Sequence, residues 1–279
     1  MTNTLATILF GLAASLGWGS GDFCGGLASR RSPVATVITI TYTTGFVLLL
    51  ALALIWREPF LAGMDILWGI LAGIVGVLAL LFFYSALSTG RMGIVAPVSA
   101  VLTAGLPLTF SAFTEGLPGL VQIGGFFLAL VAIVLISRPE RSHGRPKGIG
   151  LAMLAGCGFG LFFIIISRVS PHAVFWPLAL ARLVSVLILL LLALFRKQPI
   201  KPQKKLMPLM MLSGTMDALG NAFFVLAAHS GRLDIASVLS SLYPAATVIL
   251  AAVILRERVT RIQGLGILLA LVAIPLISV

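Results

Sequence analysis

Four ionisable side chains stand inside otherwise apolar runs: Asp22, Arg182, Asp217 and His229. In a bilayer a central charge costs about 2.5–3.5 kcal/mol on insertion scales, which makes each a candidate for function. Arg182 offers a planar fork of donors that fits a carboxylate. Asp217 offers a carboxylate that fits an ammonium group, and the two together read as a zwitterion clamp. The alternative is an ion pair between neighbouring helices with no solute between them. Asn221 follows Asp217 by one helical turn and shares its face. Asp22 reads as a proton-coupling or gating site, with Asp217 a second candidate for the proton; a carboxylate at a water interface is the plainer reading of Asp22. The reference pKa of histidine suits a proton relay, but His229 closes an apolar run and suits an interface equally. Trp18, Tyr84 and Tyr243 carry polar tips that need partners in hydrocarbon. They join Arg182, Asp217 and Asn221 as candidate substrate-binding residues. Phe82, Phe83, Phe159, Phe162, Phe163, Phe223 and Phe224 read as packing or lipid-facing rings.

The composition dictates what must hold these groups. Of 279 residues, 59% are hydrophobic and 10% charged, and the mean hydropathy is +1.14. A soluble chain is about 45–50% apolar and about 25% charged, so a water-soluble enzyme, a disordered chain and a disulfide scaffold are excluded. Ten apolar runs are predicted as membrane-spanning helices, at 5–27, 34–56, 66–87, 94–113, 119–136, 148–167, 173–195, 207–229, 235–255 and 262–278. They are continuous and about 20 residues long, whereas barrel strands alternate over about 10. The first is no cleavable signal, having no basic flank and three glycines. Cys24 and Cys157 lie inside apolar runs and read as packing residues rather than a disulfide. Gly69-x3-Gly73, Gly21-x3-Gly25 and Gly156-x3-Gly160 give small helix faces for close contact. Pro97, Pro107 and Pro244 are expected to kink spans 4 and 9.

The chain is internally duplicated. At a shift of 141 positions, Phe82-Phe83 falls on Phe223-Phe224, Gly90-Arg91 on Gly231-Arg232, and Leu128–Ile133 on the identical hexapeptide Leu269–Ile274. Nearer the front the shift reads as about 139, placing Gly17 and Gly19 on Gly156 and Gly158. Two five-span repeats follow, 1–138 and 147–279, joined by a linker at 139–146. Because five is odd, the second copy starts on the opposite side and the repeats are inverted. The loops after odd spans carry 15 Lys and Arg against three on the other side. The positive-inside rule then places the odd loops in the cytoplasm and both termini outside. The +11 net charge has the same cause, and no folded basic surface for nucleic acid is read from it.

The order of Gly17-Trp18-Gly19-Ser20-Gly21-Asp22-Phe23, Ser88 to Arg91, Ser230-Gly231-Arg232, Pro97, Pro107, Pro244, Glu115-Gly116 and Glu257-Arg258 within this frame resembles the EamA-type members of the drug/metabolite transporter superfamily. The resemblance implies an all-α integral membrane fold, ten transmembrane helices as two inverted five-helix repeats. It further implies secondary transport without ATP in a cell (inner or plasma) membrane, often amino-acid export. The central cavity is then expected from spans 1, 3, 4, 6, 8 and 9, with span 7 set apart and spans 5 and 10 as scaffold. No phosphate-binding loop, metal-ligand motif or nucleophile–base pair is present, so neither enzyme activity, cofactor nor metal is expected. The reading is an exporter of small polar metabolites, amino acids or related zwitterions, working as a monomer among lipids by alternating access. The alternative is a proton-coupled multidrug or organic-cation exporter using Asp217 or Asp22.

Overall fold

The computed structural model describes residues 3–61, 63–89, 92–137, 148–197, 200, 203–256 and 258–278; within these, the side chains of 84, 87–89, 92–97 and 278 are outside the description. Tyr84, Pro97 and the 139–146 linker therefore lie wholly or by their side chains outside the described residues. The described chain is all-helical. Its helices are α1 (Thr4–Ser29), α2 (Val34–Ile55), α3 (Met64–Thr89), α4 (Met92–Thr114), α5 (Leu120–Ile136), α6 (Ile149–Ile166), α7 (Phe175–Phe195), α8 (Met207–Ser230), α9 (Leu233–Ser240), α10 (Tyr243–Ile254) and α11 (Arg261–Ser278). A 3-10 turn over Lys204–Leu206 leads into α8. Seven apolar helical segments among the described residues are long enough to cross a membrane, and three shorter ones cover Val98–Thr114, Leu120–Ile136 and Arg261–Ile277. In hydrocarbon a helix satisfies its backbone groups within one segment, and these continuous apolar runs fold that way. Large apolar side chains such as Phe113, Leu120, Leu194 and Phe195 point outward, as a lipid solvent permits.

Of the prolines expected to kink spans 4 and 9, Pro244 falls at a break in its span, and the side chain of Pro97 lies outside the described residues. α4 runs unbroken through Pro107, which is buried. The ninth span is instead split, α9 ending at Ser240 and α10 starting at Tyr243 with Pro244 in its first turn. Pro244 has no N–H for the Ser240 carbonyl, and the chain turns there through Ser241 and Leu242.

Packing follows a two-fold exchange of the halves. The main neighbours are α1 with α8 and, in exchange, α3 with α6; α4 with α6 and α1 with α9–α10; α3 with α7 and α2 with α8. α5 pairs with α11, and α2 with α7. Specific contacts repeat with the same exchange. A Cβ on Gly125 would lie 2.9 Å from the Ile277 nitrogen, and one on Gly266 would lie 2.9 Å from the Ile136 nitrogen. Trp18 meets Phe224 at 5.8 Å between ring centroids, and Phe159 meets Phe83 at 6.0 Å. Gly17 abuts Gly220 as Gly158 abuts Ala79, and Gly19 abuts the Tyr243 carbonyl as Gly160 abuts that of Leu102. Each of these pairs is related by 141 positions. Gly17 therefore corresponds to Gly158, not Gly156, and the 139 shift read for the front of the repeats is replaced by 141. A shift of 140 applies to α2 and α7, whose ends match in having Arg57 and Lys197 in the left-handed region at φ 52° and 50°.

The connectors on the side that bears residue 3 are tied by polar contacts. The Glu58 carboxylate accepts the N–H groups of Val174 and Phe175, capping the start of α7. The Trp176 indole donates to the Glu58 carbonyl at 3.1 Å. Asp65 accepts the Ser170 N–H at 2.9 Å. The Glu115 carboxylate accepts the Leu233 N–H at the start of α9 at 3.2 Å, and Arg232 donates to the Gly116 carbonyl at 2.8 Å and to fully buried Asp234. The Glu58 and Glu115 caps stand at helix N-termini, where the macrodipole favours them.

Candidate functional site

α1 lies along α8 because glycines face each other. A Cβ on Gly17 would come within 2.9 Å of the Gly220 backbone, and one on Gly21 would lie 3.2 Å from the Asp217 nitrogen. Ser213 on α8 donates its hydroxyl to the Gly21 carbonyl at 2.8 Å. This contact brings Asp22 and Asp217 to one level. The other two glycine pairs read from the sequence also make close contacts: Gly69 and Gly73 against the Pro177 and Ala181 carbonyls of α7, and Gly156 and Gly160 against α4. The first of these sets α7, and with it Arg182, against α3.

Between these helices is a cavity of about 140 Å³. Of the residues expected to bind substrate or couple protons, Trp18, Asp22, Arg182, Asp217, Asn221 and Tyr243 all line it. Tyr84 is the one whose side chain lies outside the description. Arg182 donates through Nη2 to the Asp217 carboxylate. Its guanidinium carbon sits 4.0 Å from the centre of the Tyr42 ring, a cation–π contact worth about 0.5–2 kcal/mol depending on desolvation. The Arg182 side chain keeps 10% of its surface exposed and that of Asp217 26%, so the aspartate is the more open partner. Asn221 donates to the Asp217 backbone carbonyl at 2.7 Å; its amide N–H serves its own helix. Asp22 is exposed towards the cavity, and no ion pair involves it among the described residues. Thr103 donates to the Ser99 carbonyl at 2.8 Å and lines the same space.

One wall is aromatic. Trp18 stacks on Phe163 at 5.2 Å, and Phe163 on Phe224 at 4.2 Å. Gly220 makes room for the indole, since a Cβ there would meet Trp18 Cδ1 at 2.6 Å. Trp18, Phe159, Phe162 and Phe163 reach the cavity; Phe223 and Phe224 do not line it.

Two expectations about the lining change. α7 borders the cavity through Leu178, Ala181, Arg182 and Ser185, and α2 does so through Tyr42. Span 7 is not set apart, because Gly69 and Gly73 let it close onto α3. Tyr42 was missed, although it is one of three tyrosines and its phenol lies mid-span. The 140 shift of α2 on α7 makes it the repeat partner of Arg182, so the stacked pair faces itself across the two-fold. His229 stands apart at the end of α8, its Nε2 3.0 Å from the Val169 carbonyl. Ser237 and Ser241 are buried in the broken ninth span, and their hydroxyls have no hydrogen-bond partner among the described residues.

An uncharacterised protein of Methanocaldococcus jannaschii is 28% identical over 132 residues, which are 47% of this chain and 94% of that protein. A solved structure described only as the crystal structure of a protein superposes with a TM-score of 0.81 at 16% identity, covering 97% of this chain and 95% of the other; it is alike in fold. The bundle of apolar helices is folded from two halves about a shared charged cavity, and the model of the EamA-like transporter family matches each half in turn, residues 5–138 and 146–279. The chain belongs to the EamA-like transporter family and is a multi-pass membrane transporter of the drug/metabolite type.

Proposed function

We propose that this chain is a secondary carrier that moves small amine-bearing metabolites out of the cell by alternating access around the Asp22–Arg182–Asp217 cavity. The observation that carries this reading is the gathering of three ionisable side chains in one small cavity of an apolar bundle. Such groups are expensive in a membrane, and where they face a cavity in the bundle interior they mark solute or ion pathways. The ten apolar segments are read as ten spans, in two inverted five-span repeats over 1–138 and 147–279 with 139–146 between them. The relative of half this length supports a repeat able to stand as its own chain. In the duplicated chain both halves are already present, so a monomer suffices. The odd loops face the cytoplasm of a cell membrane, and no cofactor is needed.

Two substrate classes compete. A zwitterion requires Arg182 to give up Asp217 and take the solute carboxylate. A cation requires only a free carboxylate, and Asp22 supplies one. The engagement of Arg182 by Asp217 and Tyr42 favours the cation, with Asp22 exchanging a proton for it. The test is counterflow in proteoliposomes: a carrier gives saturable exchange of labelled solute that collapses in Asp22→Asn. Flux that stays linear in solute concentration means a channel and overturns the reading.

A further inference from the structure

The two-fold that relates the repeats is broken in the cavity, and the break has a direction. At 141 positions Asp217 corresponds to Gly76, Asp22 to Phe163, Asn221 to Leu80 and Tyr243 to Leu102. At 140 positions Arg182 corresponds to Tyr42. Every polar group on one face thus has a small, aliphatic or aromatic residue as its counterpart. Gly76, Leu80 and Phe163 themselves line the cavity, so its polar face stands against an apolar one. With all three ionised, Asp22, Asp217 and Arg182 sum to one negative charge. Arg182 is held by Asp217, which leaves Asp22 as the unmatched carboxylate.

We infer that the cavity selects a small amphiphilic monoamine: an ammonium group held at Asp22, with an aromatic or branched aliphatic body against Gly76, Ala72, Leu80 and Phe162. This rests on the carrier reading above and names its substrate class. Size sets the limit. A cavity of about 150 Å³ holds one benzene, and this one is about 140 Å³, so a single ring or a branched chain of similar bulk fits. A multi-ring cation is expected to exceed it. Gly76 lines this space and a Cβ there would lie 3.3 Å from Phe162 Cδ2, so a larger side chain at 76 would crowd the room for the apolar body. A free amino acid adds a carboxylate that must displace Asp217 from Arg182 or lie beside Asp22, so it binds more weakly than the amine of the same body.

The experiment is calorimetry on purified protein in nanodiscs, with phenethylamine, propylamine, phenylalanine, phenylpropionate and tetraphenylphosphonium as the probes. Phenethylamine is expected to bind at least tenfold more tightly than phenylalanine, with no binding of phenylpropionate or tetraphenylphosphonium. Asp22→Asn is expected to lose at least tenfold for both amines. Gly76→Val is expected to lose at least tenfold for phenethylamine while propylamine stays within threefold. If Gly76→Val does not fold, Leu80→Phe reads the same wall and is expected to show the same split. Phenylalanine binding as tightly as phenethylamine, tetraphenylphosphonium binding, or a proportional loss for both amines in the wall variants overturns the inference. Counterflow of the same probes separates the two readings. Saturable exchange of phenylalanine with none of phenethylamine keeps the carrier and removes the monoamine. Binding of phenethylamine without counterflow removes the carrier.

Discussion

Arg182 is held from two sides, by the Asp217 carboxylate and the Tyr42 ring. Removing one partner of a buried pair leaves the other charge uncompensated and costs about 3–5 kcal/mol. Because Asp217 keeps a quarter of its side chain exposed, Arg182→Gln is expected at the low end, about 3 kcal/mol, read as a fall in melting temperature. Adding Asp217→Asn is expected to recover part of that loss; a double variant no more stable than Arg182→Gln alone refutes the pairing as the cause. Glu58 gives a pH prediction away from the cavity. Burial pushes its carboxyl above the ordinary range, outweighing the backbone donors of residues 174–176 that pull it down. The folded chain therefore holds the proton more tightly than the unfolded one. Its contribution is complete below the ordinary glutamate value of about 4.3 and is lost as pH rises through the raised folded value. Melting temperature is expected to decline modestly over that rise, since Glu58 is only half-buried, and Glu58→Gln is expected to flatten the slope; an unchanged slope removes Glu58 as its source. The sequence shows why most of the candidate site was legible. A charge in an apolar run is conspicuous, so Asp22, Arg182 and Asp217 stand out one by one. Tyr42 does not, because its role depends on which residue of α7 lies across the two-fold, and that requires the 140 register of α2.

The elements were legible for a related reason: continuous apolar runs end where charge or proline begins, and the helix bounds agree with the predicted spans to within a few residues. Which proline breaks a helix was not legible. Pro107 and Pro244 carry the same local signal, and only the surroundings decide that α4 continues while the ninth span splits. The pairing of α5 with α11 also depends on packing, and it makes a sharp prediction. Gly125 and Gly124 are neighbours in one helix, yet a Cβ on the first meets Ile277 and Leu276 at 2.9 Å and a Cβ on the second meets nothing within 4 Å. Overpacking costs about 1–3 kcal/mol, whereas alanine in place of an open helical glycine gains about 0.5–1 kcal/mol. Gly125→Ala is therefore expected to destabilise and Gly124→Ala to be neutral or stabilising. The second half repeats the experiment, with Gly266 tight against Ile136 and Gly264 open. If Gly266→Ala is tolerated where Gly125→Ala is not, the two faces of this pair are not equivalent and the two-fold exchange fails at α5 and α11.

The exchange of contacts relates the two halves by a two-fold, and that relation alone does not orient the molecule; charge must. An inverted duplication starts with two nearly equivalent ways to enter a membrane, and the Lys and Arg bias is the term that separates them. The bias is 15 to 3. The anionic caps do not share in it: Glu58 and Glu115 bind backbone N–H groups on the Lys- and Arg-poor side, and acidic residues contribute little to orientation. In a background with Cys24 and Cys157 replaced, Leu117→Cys on the poor side and Gln203→Cys on the rich side are both exposed positions. A membrane-impermeant maleimide added to intact cells is expected to label Leu117→Cys and to reach Gln203→Cys only after lysis. The reverse pattern would invert the topology, while the direction of coupled exchange would still follow the solute and counter-ion gradients. Equal labelling of both positions would mean that the chain inserts both ways, and that 12 excess positive charges, the difference of 15 and 3, do not decide its direction.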